Sequence, residues 1–166
     1  MTLSHVDSSG KARMVDVGEK KVTARRAVAE GRVLMSIEAF GQVRDAAVAK
    51  GDVLAIAEIA GVMAAKKTGD LIPLCHPLAL DQVQVELELV EEWPGVRVTA
   101  TVAATARTGV EMEALTAVGV ACLTVYDMVK AVDRAMRITA IHLLEKTGGS
   151  RGDWRAANLP AAEEAE

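Results

Sequence analysis

The stretch Asp70–Leu78, DLIPLCHPL, sets a thiol beside an imidazole, Cys75 and His76, between Pro73 and Pro77. Such a pair could ligate a soft metal ion or act as a nucleophile and its base. Neither use fits the spacing. Adjacent residues of an extended segment point to opposite faces, so they cannot readily share one ion, and His76 cannot take the Cys75 proton directly. The remaining soft ligands, His5, Cys122 and His142, complete no C-x-x-C, H-x-x-x-H or H-E-x-x-H spacing, and no metal site is expected. A free cysteine in an apolar run is expected to be buried and inert. His76, held extended by Pro77, lies in a connection of the kind that often carries function. Spacing alone leaves it open between a functional and a structural role.

The second constellation is YDMVK, Tyr126–Lys130, where Asp127 and Lys130 interrupt an apolar run three residues apart. On a helix they share a face and can reach each other. They could form an internal ion pair, or a carboxylate–ammonium couple tuned by desolvation for proton transfer; charges breaking so apolar a run favour the couple. Glu111 and Glu113 fall where a helix begins, and the helix dipole alone accounts for them. Basic residues at Arg25–Arg26, Lys50 and Lys66–Lys67 could hold an anion, although a solvated basic face is the default reading. No Walker A or G-x-G-x-x-G motif occurs, and the glycine-rich KTGGSRGDW opens no helix, so any phosphate would be held by side chains.

The elements that must position these groups can be read from periodicity. Residues 1–21 are polar and read as an arm. VTARRAVAEGRVLM, 22–35, reads as a strand; Ser36 then caps a helix over 37–50, and Asp52 caps an Ala-rich helix running to about Thr68–Gly69. DQVQVELELVEEW, 81–93, alternates cleanly, with Val83, Val85, Leu87 and Leu89 on one face and Gln82, Gln84, Glu86 and Glu88 on the other. Pro94–Gly95 turns it into a second alternating strand over 96–107. A long helix follows over 110–133, then a strand over 137–147, a glycine-rich segment from 148, and an acidic, Ala-rich tail to 166 that is expected to be mobile.

That order is the split βαβ pattern of a ferredoxin-like α+β sandwich, an antiparallel sheet with helices on one face. It makes 22–147 one α+β domain, the part of the chain that would carry any catalytic site. The last helix is apolar nearly all round from Ala114 to Val129, so it needs a partner besides the sheet, and a homo-oligomer is expected.

Composition narrows the function. At 166 residues and 51% hydrophobic, the chain is long and apolar enough for one packed core. Aromatic residues make up 2% and the net charge is −4, which argues against base stacking and non-specific nucleic-acid binding. Two cysteines cannot build a disulfide framework, the N-terminus has no apolar signal region, and Asp127 and Lys130 interrupt the longest apolar run. A cytoplasmic protein that spans no membrane is expected.

Together, MVDVGEKKVTARRA, KGDVLAIAEIAGVMAAKKTGDLIPLCHPL, TGVEMEALTAVGVACLTVYDMVKAVD and LLEKTGGSRGD resemble the MoaC family of molybdenum-cofactor biosynthesis over about Met14–Asp153. The resemblance implies a ferredoxin-like fold and a hexamer, a trimer of dimers with pockets between subunits. It also implies an activity: conversion of 3′,8-cyclo-7,8-dihydro-GTP to cyclic pyranopterin monophosphate with loss of pyrophosphate. Matched by motif, Asp127 is the catalytic aspartate and Lys130 its companion, with His76 assisting. Leu74, Cys75, His76, Met112 and Glu113 contact substrate, and Lys50, Lys66 and Arg25 face the triphosphate, with Arg26 as the alternative to Arg25. No resident cofactor is implied; a magnesium ion accompanying the triphosphate is compatible, and no carboxylate cluster in the chain demands one. The rival reading is a non-catalytic ferredoxin-like oligomer that binds an anionic nucleotide and regulates a partner.

Overall fold

The computed structural model describes residues 10–150 and 152–157; the tail expected at 158–166 and His5 lie outside them. Nine elements follow in order: β1 (Thr23–Leu34), α1 (Ile37–Arg44), α2 (Val53–Ala65), α3 (Thr68–Leu71), β2 (Gln82–Val90), β3 (Gly95–Ala106), α4 (Glu111–Val129), β4 (Arg137–Thr147) and β5 (Trp154–Arg155). The strands form one antiparallel sheet ordered β2-β3-β1-β4-β5. Strand β3 separates β1 from β2, so the expected ferredoxin-like α+β topology is present, extended by β5 on the β4 edge.

The alternation in β2 puts Val85 in the core and leaves Gln84, Glu86 and Glu88 in solvent. Strand β3 pairs with it from Val90↔Gly95 to Gln82↔Ala103. Gly95 is required at the turn, because a Cβ there would collide with the Val33 carbonyl oxygen.

Helix α1 stops six residues before the expected end at Lys50. Ala46 adopts φ 51°, its N–H donates to Val43 O at 3.2 Å, and Ala47 N–H donates to Gln42 O at 2.8 Å. This is a Schellman end made without glycine, and no apolar period advertises it. Ser36 accepts from Ala39 N–H and Asp52 from Ala55 N–H, as the capping pattern predicts. At the other end of α2, the buried Thr68 hydroxyl donates to the Ala64 and Ala65 carbonyls.

The core lies between the sheet and the α2–α4 layer. Ala27, Ala29, Ala100 and Ala104 of the sheet and Ala114, Ala117 and Ala121 of α4 are all at most 2% exposed. Gly31 lies under α4, where a Cβ would meet Val118 Cγ1 at 2.6 Å and Cys122 Sγ at 3.3 Å. By length and composition α4 could cross a membrane, but half of its apolar window is buried inside the domain. The second partner that α4 needs is in part the chain's own α2, which approaches it at Gly61: a Cβ there would lie 3.1 Å from Ala117 O. What stays uncovered is an apolar stripe of Ile56, Ile59 and Met63 on α2, with Leu123 on α4.

Candidate active site

A cleft of about 390 Å³ opens where α4 begins. Its floor is the first turn of α4, with Glu111, Met112 and Glu113, reached through Thr108 and Gly109 from the end of β3. Leu74, Cys75 and His76 form one wall; Arg25 of β1 and Lys146 of β4 form another. Gly148, Gly149 and Ser150 close the rim, with Val15, Val17 and Lys20 of the N-terminal arm beside them.

Local chemistry explains how each wall is held. The stretch 72–75 is a turn rather than an extended segment, with Cys75 N–H donating to Ile72 O at 3.0 Å. The expected opposition of Cys75 and His76 is therefore corrected: both line the same cleft. Gly69 lets Pro77 pack against α3, since a Cβ there would lie 3.2 Å from Pro77 Cα. Cys75 is half-buried rather than buried; burial, with Glu113 nearby, pushes its thiol above the ordinary value, so it is a poor nucleophile. Cys122, wholly buried, is pushed up to about 12 and is inert.

Arg25 faces the cleft and Arg26 does not. The Arg25 guanidinium donates to the carbonyls of Ala106 and Arg107, whereas Arg26 pairs with Glu145, which also holds Arg155 of β5. Gly149, at φ +91°, leaves the space the Arg25 guanidinium occupies. Lys146 donates to Glu111 Oε1 at 2.9 Å, both side chains about a quarter exposed. Glu113 is 4% exposed, and burial raises its carboxyl above the usual range, with the Glu111 charge adding to the effect. The cleft thus offers cations beside a buried carboxyl whose pKa is raised. Among the described residues, no group of three or more His, Cys, Asp or Glu side chains could hold a metal ion.

A second cluster lies at the far end of α4. Asp127 Oδ1 accepts from Lys130 Nζ at 2.6 Å and Oδ2 from Lys50 Nζ at 2.7 Å; the same ammonium donates to Asp127 O at 2.7 Å. The Lys130 and Lys50 hydrogen bonds, in that order, hold the Asp127 carboxyl down to about 2. The expected pairing of Asp127 with Lys130 is present, but its burial is not: the side chains are 58% and 51% exposed. Val125, Met128 and Val129 take the inward positions of that last turn and turn Asp127 out.

The sequence candidates therefore divide. Arg25, Leu74, Cys75, His76, Met112 and Glu113 meet in the cleft; Lys50, Asp127 and Lys130 meet about 22 Å further along α4, at 1.5 Å of rise per residue. Lys66, exposed at the C-cap of α2, joins neither. His142 is half-buried on β4 with Nδ1 2.6 Å from Ala140 O. Sequence reasoning missed Lys146, Arg107 and the Lys50–Asp127 contact, because no local spacing links residues 35 to 82 positions apart in the chain. It treated Glu111 only as a dipole partner.

The model of the MoaC family matches residues 14–149. The chain is 56% identical over 160 residues to cyclic pyranopterin monophosphate synthase of Brucella melitensis biotype 2, covering 96% of each. It is 58% identical to the Methylobacterium sp. (strain 4-46) protein of that name, covering 93% of this chain and 97% of the relative. The Novosphingobium aromaticivorans protein, of the same name, is 59% identical, with 93% and 98% covered. At these identities over nearly the whole length, the chain belongs to the MoaC family.

Proposed function

We propose that the chain converts 3′,8-cyclo-7,8-dihydro-GTP to cyclic pyranopterin monophosphate, releasing pyrophosphate, as a phosphorus–oxygen lyase of molybdenum-cofactor biosynthesis. The observation that carries this reading, beyond family membership, is the Asp127 carboxylate shared between the Lys50 and Lys130 ammonium groups. A regulatory binding module needs cationic contacts but no such acid–base cluster, so the enzyme reading is preferred over the non-catalytic oligomer.

In this reading the cleft holds the substrate and the Asp127 cluster supplies protons. Leu74, Cys75, Met112 and Glu113 contact the base-derived rings, with the carboxyl of Glu113 as a hydrogen-bonding group. Opening and reclosing those rings needs proton transfers, with Lys130, ion-paired to Asp127, as acid and His76 assisting one step. A ribose hydroxyl forms a bond to the α-phosphorus as the bond to the bridging oxygen of the β-phosphate breaks. Arg25 and Lys146 offset the charge that builds on the departing pyrophosphate. Lys66, outside its own protomer's cleft, is assigned to the triphosphate through the family pattern alone. A magnesium ion would enter with the triphosphate, as part of the substrate.

A substrate cannot touch both ends of one α4, so the reading requires a second copy to bring its Asp127 cluster to this cleft. The assembly proposed is a homohexamer, a trimer of dimers with pockets between subunits, and Ile56, Ile59, Met63 and Leu123 are the apolar surface available to build it. A cytoplasmic location follows from two free thiols and a nucleotide-derived substrate. Mixing the chain with the cyclic dihydro-GTP and measuring pyrophosphate tests the proposal. Release in step with a pterin product supports it; binding of GTP analogues without turnover of that substrate favours the regulatory module.

A further inference from the structure

The Asp127 cluster is assembled from two parts of the chain that share no secondary-structure element. Lys50 lies in the connection after α1, while Asp127 and Lys130 end α4. Something must fix one against the other. Lys130 is the C-cap of α4, its N–H donating to Tyr126 O at 2.9 Å, and the chain turns at once, with Val132 N–H donating to Val129 O. Asp133 ends that turn. Its Oδ1 accepts from Ala135 N–H at 2.8 Å, bracing its own loop, and its Oδ2 accepts from Ser36 N–H at 2.7 Å. Ser36 is the N-cap of α1. The Tyr126 hydroxyl donates to Arg134 O at 3.1 Å and pins the same loop from the helix side.

We propose that Asp133 is a positioning residue, a carboxylate clamp between the exit of α4 and the entrance of α1 that sets Lys50 against Asp127 and Lys130. The Asp133 carboxyl is held below its usual range, first by the Ser36 N–H, so it stays charged throughout the neutral range. Charged acceptors to backbone N–H groups are the strong kind, and this one spans 97 residues of chain. Neither oxygen faces the cleft or the cluster; the effect passes through backbone placement. This inference rests on reading the Asp127 cluster as the acid–base group.

The test uses the full chain and two readouts, pyrophosphate release and the carboxyl carbon resonance of Asp127. Asp133→Ala is expected to lower kcat by about ten- to a hundredfold with little change in KM, the scale on which small misplacements act. In the parent, Asp127 titrates at about 2; in the variant it moves up toward the ordinary value of about 4. Asp133→Asn keeps one acceptor oxygen and sets an NH2 donor against the other backbone N–H, so it is expected to recover only part of kcat. Should Asp133→Ala lose its fold, Tyr126→Phe removes the other tether and is read the same way. Parent-like kcat with an unmoved titration overturns the clamp, and so does a kcat loss with an unmoved titration. A moved titration at parent-like kcat upholds the clamp and overturns the acid–base reading instead.

Discussion

Lys50 and Lys130 grip opposite oxygens of one carboxylate, Asp127, at 2.7 and 2.6 Å, although 80 positions separate the two lysines in sequence. Each ammonium depends on the carboxylate to stay near the other, since two cations that close repel. Asp127→Asn and Lys130→Ala are each expected to reduce pyrophosphate release by at least about a hundredfold, the lower range for a positioned acid–base group, with the oligomer unchanged. Full turnover by either variant, with the oligomer confirmed by light scattering, would sink the assignment.

The same geometry fixes a pH dependence. Asp127 is depressed to about 2, so its contribution to stability is fully present above the unfolded value near 4 and fades only as the pH falls toward 2. An acid limb in the kcat profile between about pH 4 and 6 must then belong to another group. Lys130→Ala removes the larger cause of the depression, and the Asp127 carboxyl resonance should then titrate higher. An unmoved titration contradicts the pairing.

Glu113 runs the other way. Its carboxyl is raised by burial, so its ionised form destabilises the fold above the unfolded pKa and its neutral form does not below it. Glu113→Gln is expected to raise Tm at pH 7 and to leave it unchanged near pH 4. Thermal scans at the two pH values decide this, and an equal shift at both would mean that shape, not charge, is being read.

Gly149→Ala adds a Cβ at φ +91° against the Arg25 guanidinium. With Arg25 displaced, KM for the cyclic dihydro-GTP should rise by about tenfold or more while kcat changes far less, as for loss of a charged hydrogen bond to bound substrate. If KM is unaltered, Arg25 does not face the phosphates.

Gly31→Ala tests the core. The new methyl meets Val118 Cγ1 at 2.6 Å and Ile141 Cγ1 at 3.1 Å, an overpacking of about 1–3 kcal/mol, readable by urea denaturation. Val118→Ala on the same background should restore part of the loss. No destabilisation would mean that α4 lifts from the sheet without penalty.

What the sequence disclosed follows physical range. Alternation in β2 and the caps Ser36 and Asp52 are local signals, and the fold agreed with them. The Asp127–Lys130 contact was legible because three residues along a helix bring side chains together. Its exposure was not, because apolar neighbours predict a buried helix but not which residue of its last turn faces out. The end of α1 was missed because Ala46 takes a conformation usually left to glycine. Strand β5 was missed because its two residues pair only by virtue of where β4 ends. Lys146 and Asp133 had no signal at all: their partners, Glu111 and Ser36, are chosen by topology.

The alanine seam between α4 and the sheet bears on how firmly the two ends of that helix are held. A methyl has no rotamer to lose on burial, so ordering this seam forfeits almost no side-chain entropy, and a methyl has no alternative packing to visit once there. Leucines in its place would cover more area but could repack around a shifted helix. Here small side chains let the helix sit close on the sheet, and sliding α4 along its axis would carry its methyls against the residues of β1 and β3. The helix is keyed in place like a rack on a track, which fixes how far apart its two chemically distinct ends can stand.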